Sequence, residues 1–233
     1  AYKEIFKTEN FVKESYEIKD QKIWDTFLNN LDFPFLVSFP RTGSHWLRNV
    51  MELYFEKPSL MRVFFYKKPI NFTCFHIHDQ DLLFNEKRRV IYLYREPVAT
   101  IFSQMNFYEE DLLCIERVEY WANLYGRHLE KWILHDELSI EKVVLNYEKF
   151  QIDFDKEFKK LSDFLKEPFH IDKLNKAKKK SSKDKIKEKV KDDIRVIKDS
   201  NDYAEKRSLF IENNSELIKE VILKVDLKLL KFL

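Results

Sequence analysis

FLVSFPRTGSHW, residues 35–46, runs from an apolar strand through Pro40 and a basic residue to Gly43 and a small hydroxyl residue, and LRNVMELYF then continues as an amphipathic helix. A strand that turns sharply into a helix aims the first backbone N–H groups at one point, with the helix dipole behind them. Gly43 permits a backbone conformation that side chains disfavour and lets an anion come close. Arg41 adds a planar cationic fork, and Thr42 and Ser44 add hydroxyl donors. The loop therefore reads as a cradle for a phosphate or a similar oxyanion. The Gly-Lys-Ser/Thr ending of a nucleotide-triphosphatase loop is missing. Taken by itself the segment also fits a plain strand-to-helix turn, because Gly and Ser are common there.

The elements outward from this loop alternate. Phe33 to Phe39 suits a buried strand stopped by Pro40, and Leu47, Val50, Met51, Tyr54 and Phe55 recur at helical spacing until Lys57-Pro58. NFTCFHIHD (71–79) alternates, which sets Cys74, His76 and His78 on one face and Phe75 and Ile77 on the other. RRVIYLYREP (88–97) is a near-continuous apolar run, as expected of a central parallel strand. Pro97 fits the first turn of a helix carrying Ile101, Phe102 and Met105. A long helical pattern around VEYWANLYGRHLEKWIL leads to a strand at VVLNYE (143–148), and FDKEFKKLSDFL follows as an amphipathic helix. Strands alternating with helices predict an α/β fold with a parallel sheet covered on both faces. IWDTFLNNL, before the first strand, suggests a short amphipathic helix.

Composition sets the bounds. The 233 residues suit a single domain with a proper core, and 44% hydrophobic residues with 21 Phe exclude a disordered chain. A net charge of only +2 gives no general case for nucleic acid as the partner. Two cysteines, Cys74 and Cys114, build no disulfide framework, so a reducing cytoplasm is the expected compartment. No run of about eighteen apolar residues offers a membrane span. AYKEIFKTEN lacks both an initiator Met and a signal-peptide layout, so trimming of the chain and loss of a leader stay open. Residues 176–191 hold nine Lys against two acids. They read as a solvated surface segment, or alternatively as a basic lid over a phosphorylated cofactor. From about residue 203 to 233 the pattern is one or two helices packing back on the domain.

A second anion site lies downstream. Arg95 closes the strand VIYLYR, and Ser103 follows about a turn and a half into the next helix. An Arg at the C-terminal end of a parallel strand stands on the edge where open α/β sheets bind ligands. The plainer reading of Arg95 is a surface ion pair with Glu96 or Glu110.

These residues together resemble the sulfotransferases that use 3′-phosphoadenosine 5′-phosphosulfate (PAPS). Pro40-Arg41-Thr42-Gly43-Ser44-His45-Trp46 is similar to the family's 5′-phosphosulfate loop, usually Pro-Lys-Ser-Gly-Thr-Thr/Ser-Trp. VIYLYREPVATIFS (90–103) is similar to its 3′-phosphate motif, and VLNYEKF with FKKLSDFLKEPF to its Tyr-Glu-Asp-Leu strand and following helix. Trp121 and Trp132 fall where the family often has a pair of Trp. The likeness spans about 33–168, with motifs in the right order and spacing. It implies a P-loop-type three-layer fold in one domain over 1–233. It also implies that Arg41, Thr42, Gly43, Ser44 and His45 hold the phosphosulfate, that Trp46 stacks on adenine, and that Arg95 and Ser103 grip the 3′-phosphate. The acceptor is then a small molecule, the product PAP, and a homodimer is compatible. Three departures stand out. Arg41 replaces the usual Lys, His45 replaces a hydroxyl residue, and the Gly-rich C-terminal cofactor motif is missing, with Lys206, Arg207 or the Lys-rich run as substitutes.

The candidate base lies in CFHIHD. A His near neutral pH suits removal of the acceptor's proton. Aligned on the family's Lys-x-His pattern His78 is the base, with Asp79 placed to orient it; aligned on a hydrophobic-then-His pattern the base is His76. Cys74, His76, His78 and Asp79 also invite a metal reading, but alternate strand residues are too far apart for three to share one ion comfortably. The aromatic sets 64–66 and 105–108 read as core or as acceptor walls. Two other functions compete: a P-loop nucleotide or small-molecule kinase, and a non-catalytic RNA-binding protein using Lys178 to Lys180.

Overall fold

The computed structural model describes residues 29–57, 72–85, 87–182 and 202–233, together with Asp25 and Ser59. Most of the expected helix near IWDTFLNNL, the 64–66 aromatics and most of the Lys-rich run lie outside the described residues. Among the described residues four parallel strands form the sheet: β1 (Phe35–Ser38), β2 (Phe75–Ile77), β3 (Arg88–Tyr94) and β4 (Ser139–Asn146), in the order β2-β1-β3-β4. The chain leaves β1 for β2 on one side, and β3 takes the other side. The C-terminal ends of β1 and β3 are therefore the switch point, where doubly wound sheets open a crevice.

Alternation within the strands divides the core. Phe35, Val37, Val90 and Tyr92 face one layer, packed by α2 (Pro97–Phe107), α3 (Ile115–Leu129) and α7 (Tyr203–Val225). Leu36, Ile91, Leu93 and Leu145 face the other, packed by α1 (Ser44–Phe55), α4 (Tyr147–Ile152), α5 (Phe154–Phe164) and α6 (Ile171–Lys180). The five apolar positions read at helical spacing on α1 are all buried. β3 is buried at every residue, including the two arginines that open it. Arg89 donates to Glu141 at 2.8 Å and to the Asp32 carbonyl at 3.3 Å, and Arg88 to the Asn30 carbonyl at 3.1 Å, so both charges are satisfied at the end of the sheet away from the switch point. β4 begins at Ser139, earlier than its apolar letters suggest, because Ile140 and Glu141 on this edge strand are exposed.

α3 continues into a π-helical turn, Glu130–Leu134. This extra residue per turn re-phases the helix, so neighbouring Lys131 and Trp132 both reach the carboxylate of Asp79, at 2.7 and 2.9 Å.

Candidate active site

The loop after β1 is bent by two left-handed residues, Arg41 at φ 69° and Gly43 at φ 91°. Gly43 is the N-cap of α1, no side chain caps that helix, and its first turn holds no acid. Its amide end is thus left to the dipole alone, the arrangement that favours an anion. Thr42 differs from the sequence reading: it is fully buried and its hydroxyl donates to the Phe39 carbonyl at 2.8 Å, which braces the loop itself.

Arg41 and Arg95, far apart in sequence, meet at the switch point. Arg41 Nε donates to Ser103 Oγ at 3.3 Å, and its guanidinium lies 4.8 Å from the Phe107 ring centre. Burial and the nearby Arg95 charge lower the Arg41 pKa, while Tyr203 and Tyr108 work against them. Arg95 Nη1 donates to the Arg41 carbonyl at 3.3 Å. Its acidic neighbour is Glu148, 3.8 Å from Nε, and neither Glu96 nor Glu110. Glu96 instead caps α2 through the amides of Val98 and Ala99, both at 2.7 Å, and Glu110 holds Arg117 and Trp121. Among the described residues the buried Arg95 Nε has no hydrogen-bond partner, and an added anionic oxygen would satisfy it.

Tyr147 closes the cradle from the side. Its ring lies 4.8 Å below the Arg95 guanidinium and packs directly on Gly43. Trp46 meets Tyr147, Phe150 and Phe154 edge-on at 5.7, 5.6 and 5.6 Å, so it belongs to an aromatic wall on the α4–α5 side. Arg207 is half-buried on α7, one turn beyond Tyr203, whose ring touches Phe102 of α2. Lys206 pairs with Asp202 instead.

His76 of β2 and His78, just past its end, lie with ring centres 4.6 Å apart, edge to face. His76 is fully enclosed, with Nε2 3.0 Å from Ser38 Oγ and Nδ1 3.2 Å from Arg48 Nη1. Burial, followed by the charges of Arg48, His78 and His45, holds its pKa well below the usual imidazole range. His78 is half-buried, and its Nδ1 lies 2.9 Å from the Ser38 carbonyl. A carbonyl only accepts, so Nδ1 carries the proton and Nε2 the lone pair. Asp79 does not orient this ring: its carboxylate is taken by Lys131, Trp132 and the Phe84 amide at 2.7, 2.9 and 2.7 Å. The positioning comes instead from Ser38, and from His128, whose Nε2 donates to the His78 carbonyl at 2.8 Å. Sequence reading missed Arg48, Ser38, Tyr147 and Glu148. The one available signal was a hydroxyl residue ending an otherwise apolar strand. Among the described residues no group of three His, Cys, Asp or Glu is arranged to hold a metal ion.

A family model described as the sulfotransferase domain matches residues 59–216, a span that takes in Arg95, Ser103, His76 and His78 but starts after the loop at 40–46. Among solved structures, the mouse sulfotransferase SULT7A1 complexed with PAP is similar, with a TM-score of 0.51 and 18% identity over 84% of this chain and 89% of that one. At that identity the likeness speaks for the fold. No curated protein matches by sequence.

Proposed function

The chain belongs to the sulfotransferase domain family, and we propose that it moves a sulfuryl group from PAPS to a hydroxyl or amine of a small-molecule acceptor, with His78 as general base. One observation carries this reading. Two guanidinium groups, Arg41 beside the amide end of α1 and Arg95 just past the end of β3, come together on adjacent strand ends at the switch point, with Arg41 Nε bonded to Ser103 and Arg95 Nη1 to the Arg41 carbonyl. A ligand that carries two anionic groups matches two guanidinium groups better than a single phosphate does.

PAPS, when bound, supplies the sulfuryl group that passes to the acceptor oxygen or nitrogen, with PAP as the leaving molecule. The chain's own residues account for the rest. Gly43, Ser44, His45 and the dipole of α1 hold the phosphosulfate end, and Arg41 adds positive potential where charge grows on the leaving oxygen. Arg95 Nε and Ser103 hold the 3′-phosphate, and Trp46 bounds the adenine. Thr42 contributes through the loop backbone, since its hydroxyl is engaged. His78 Nε2 accepts the acceptor's proton. Positioning and charge neutralisation then do most of the work, as in phosphoryl transfer. Both cysteines are free, which suits a reducing, cytosolic setting. Among the described residues no helix is long and apolar enough to cross a membrane.

A thermal-shift experiment tests the reading. PAP should raise the melting temperature and Arg95→Ala should remove that rise, while ATP with Mg²⁺ should give none; the reverse ligand preference would favour a kinase. His78→Ala should abolish transfer of labelled sulfate across a panel of phenols, alcohols and amines, by at least about a hundredfold, and keep the PAP-induced rise. Wild-type turnover in that variant would remove His78 from the role.

A further inference from the structure

His76 and His78 have opposite chemistry, and the difference is built by a residue outside both motifs. We propose that Arg48, His76 and Ser38 form a positioning relay that fixes the base nitrogen of His78 and confines the pair's proton to it. The inference rests on His78 being the base.

Arg48 lies on the inner face of α1 and is 2% exposed. A guanidinium only donates. Its Nε donates to Ser59 Oγ at 2.6 Å, and its Nη1 points at His76 Nδ1 from 3.2 Å. His76 Nδ1 must therefore accept, and the ring proton must sit on Nε2, where Ser38 Oγ takes it at 3.0 Å. An imidazolium at His76 would set an N–H against an N–H of Arg48. The site thus admits only the neutral, Nε2-protonated ring.

Ser38 connects the two rings. Its hydroxyl receives the His76 proton, and its carbonyl receives Nδ1–H of His78 at 2.9 Å. Both histidines are tied to one residue, the last of β1, so the orientation of His76 passes to His78 through Ser38. The backbone of His78 is held from the other side, where His128 Nε2 donates to its carbonyl at 2.8 Å and Tyr92 donates to His128 Nδ1 at 2.9 Å.

The charged and titratable groups around the pair favour the same partition. From α1, Arg48 and His45 act on His76, and from just past the end of β2 His78 does so as well. From α3, His128 is kept neutral by burial, and beyond it Lys131 is paired with Asp79 at 2.7 Å. A proton taken from the acceptor by His78 Nε2 consequently has no second imidazole to pass to. His76 and Arg48 are positioning residues, and neither needs to touch substrate.

Histidine NMR on the full chain with ring-¹⁵N labelling and bound PAP tests this without relying on turnover. In the wild type, His76 should show the Nε2–H tautomer throughout pH 5–8 and should not titrate, while His78 titrates alone from the Nδ1–H form. Arg48→Met should let His76 mix tautomers or titrate and should move the His78 midpoint by about half a unit or more. Ser38→Ala, a smaller change that spares the carbonyl, should disturb the His76 signal in the same sense. With the best acceptor of the panel, Arg48→Met should lower kcat about tenfold and shift its acid limb, with the KM for PAPS kept. A His76 that titrates in the wild type, or Ser38→Ala and Arg48→Met signals identical to wild type, would overturn the relay. If Arg48→Met fails to fold, the wild-type titration and Ser38→Ala still decide. Failure of the base assignment reads separately, as turnover surviving in His78→Ala.

Discussion

A methyl group added at Gly43 would lie 2.5 Å from Tyr147 Cδ2 and 2.6 Å from its Cε2, both rigid ring atoms, and Gly43 also stands at φ 91°. Either constraint alone favours glycine. Left-handed backbone costs a side-chain residue about 1–2 kcal/mol, and forcing atoms into a filled space adds about 1–3 kcal/mol. Gly43→Ala should therefore unfold at clearly lower urea concentration and lose the melting-temperature rise with PAP. Adding Tyr147→Ala should restore only the steric part. The conformational demand at Gly43 was legible from a strand-to-helix turn in a chain with two glycines. The ring that fills the space beside it was not, because nothing local joins residue 147 to residue 43. Arg48 was illegible for a related reason. A basic residue within an amphipathic helix reads as solvent-facing, and only the tertiary partners His76 and Ser59 make its burial tolerable.

At the scale of elements, Gly126 has a different explanation. It sits inside α3 where α7 crosses closely: a Cβ there would be 3.1 Å from Val225 Cγ2 and 3.4 Å from the backbone of Ile222. Gly126→Ile should push the helices apart and cost about 1–3 kcal/mol, read as a lower urea midpoint. Element boundaries followed the apolar periodicity closely wherever one face was buried: α1 begins at Ser44, α2 at Pro97, and β3 spans the continuous apolar run. The pattern failed at the π turn. A five-residue repeat leaves no mark in a helical sequence, so Asp79 looked available to His78 when Lys131 and Trp132 already held it. Those bonds, with Phe84, instead fix the loop that follows His78. The candidate anion-binding residues were legible because each pair is local, an Arg and a hydroxyl residue a fixed distance apart. Their meeting through Arg41 and Ser103 follows from parallel topology, in which the functional loops share one edge.

Over the whole molecule, buried neutral imidazoles set the response to acid. Burial takes the pKa of His128 down to about 3. An unfolded His binds its proton near pH 6.5, so between that value and about 3 the unfolded chain holds the extra proton. Stability must then fall as pH falls through this window. His76 acts in the same direction. His128→Gln keeps an acceptor for Tyr92 and a donor for the His78 carbonyl but cannot protonate. The drop in melting temperature from pH 7 to 5 should be smaller in that variant than in the wild type, as measured by scanning calorimetry at both values. No sequence pattern announced His128, since a single His in a helix is ordinary until its ring is seen between Tyr92 and a strand-end carbonyl.

The division of the core between two layers has a consequence for biosynthesis. The layer behind Leu36, Ile91 and Leu145 is closed by helices that follow soon after their strands, the last of them α6. The opposite layer, with Phe102, Tyr125 and Trp132, is covered in part by Phe210, Ile218 and Ile222 of α7, which is made after every strand is complete. While translation proceeds, one side of the sheet can settle as its residues emerge, and the other must wait with aromatic surface uncovered. The nascent chain is thus most prone to aggregation in the interval between β4 and α7, at the layer that also carries Ser103.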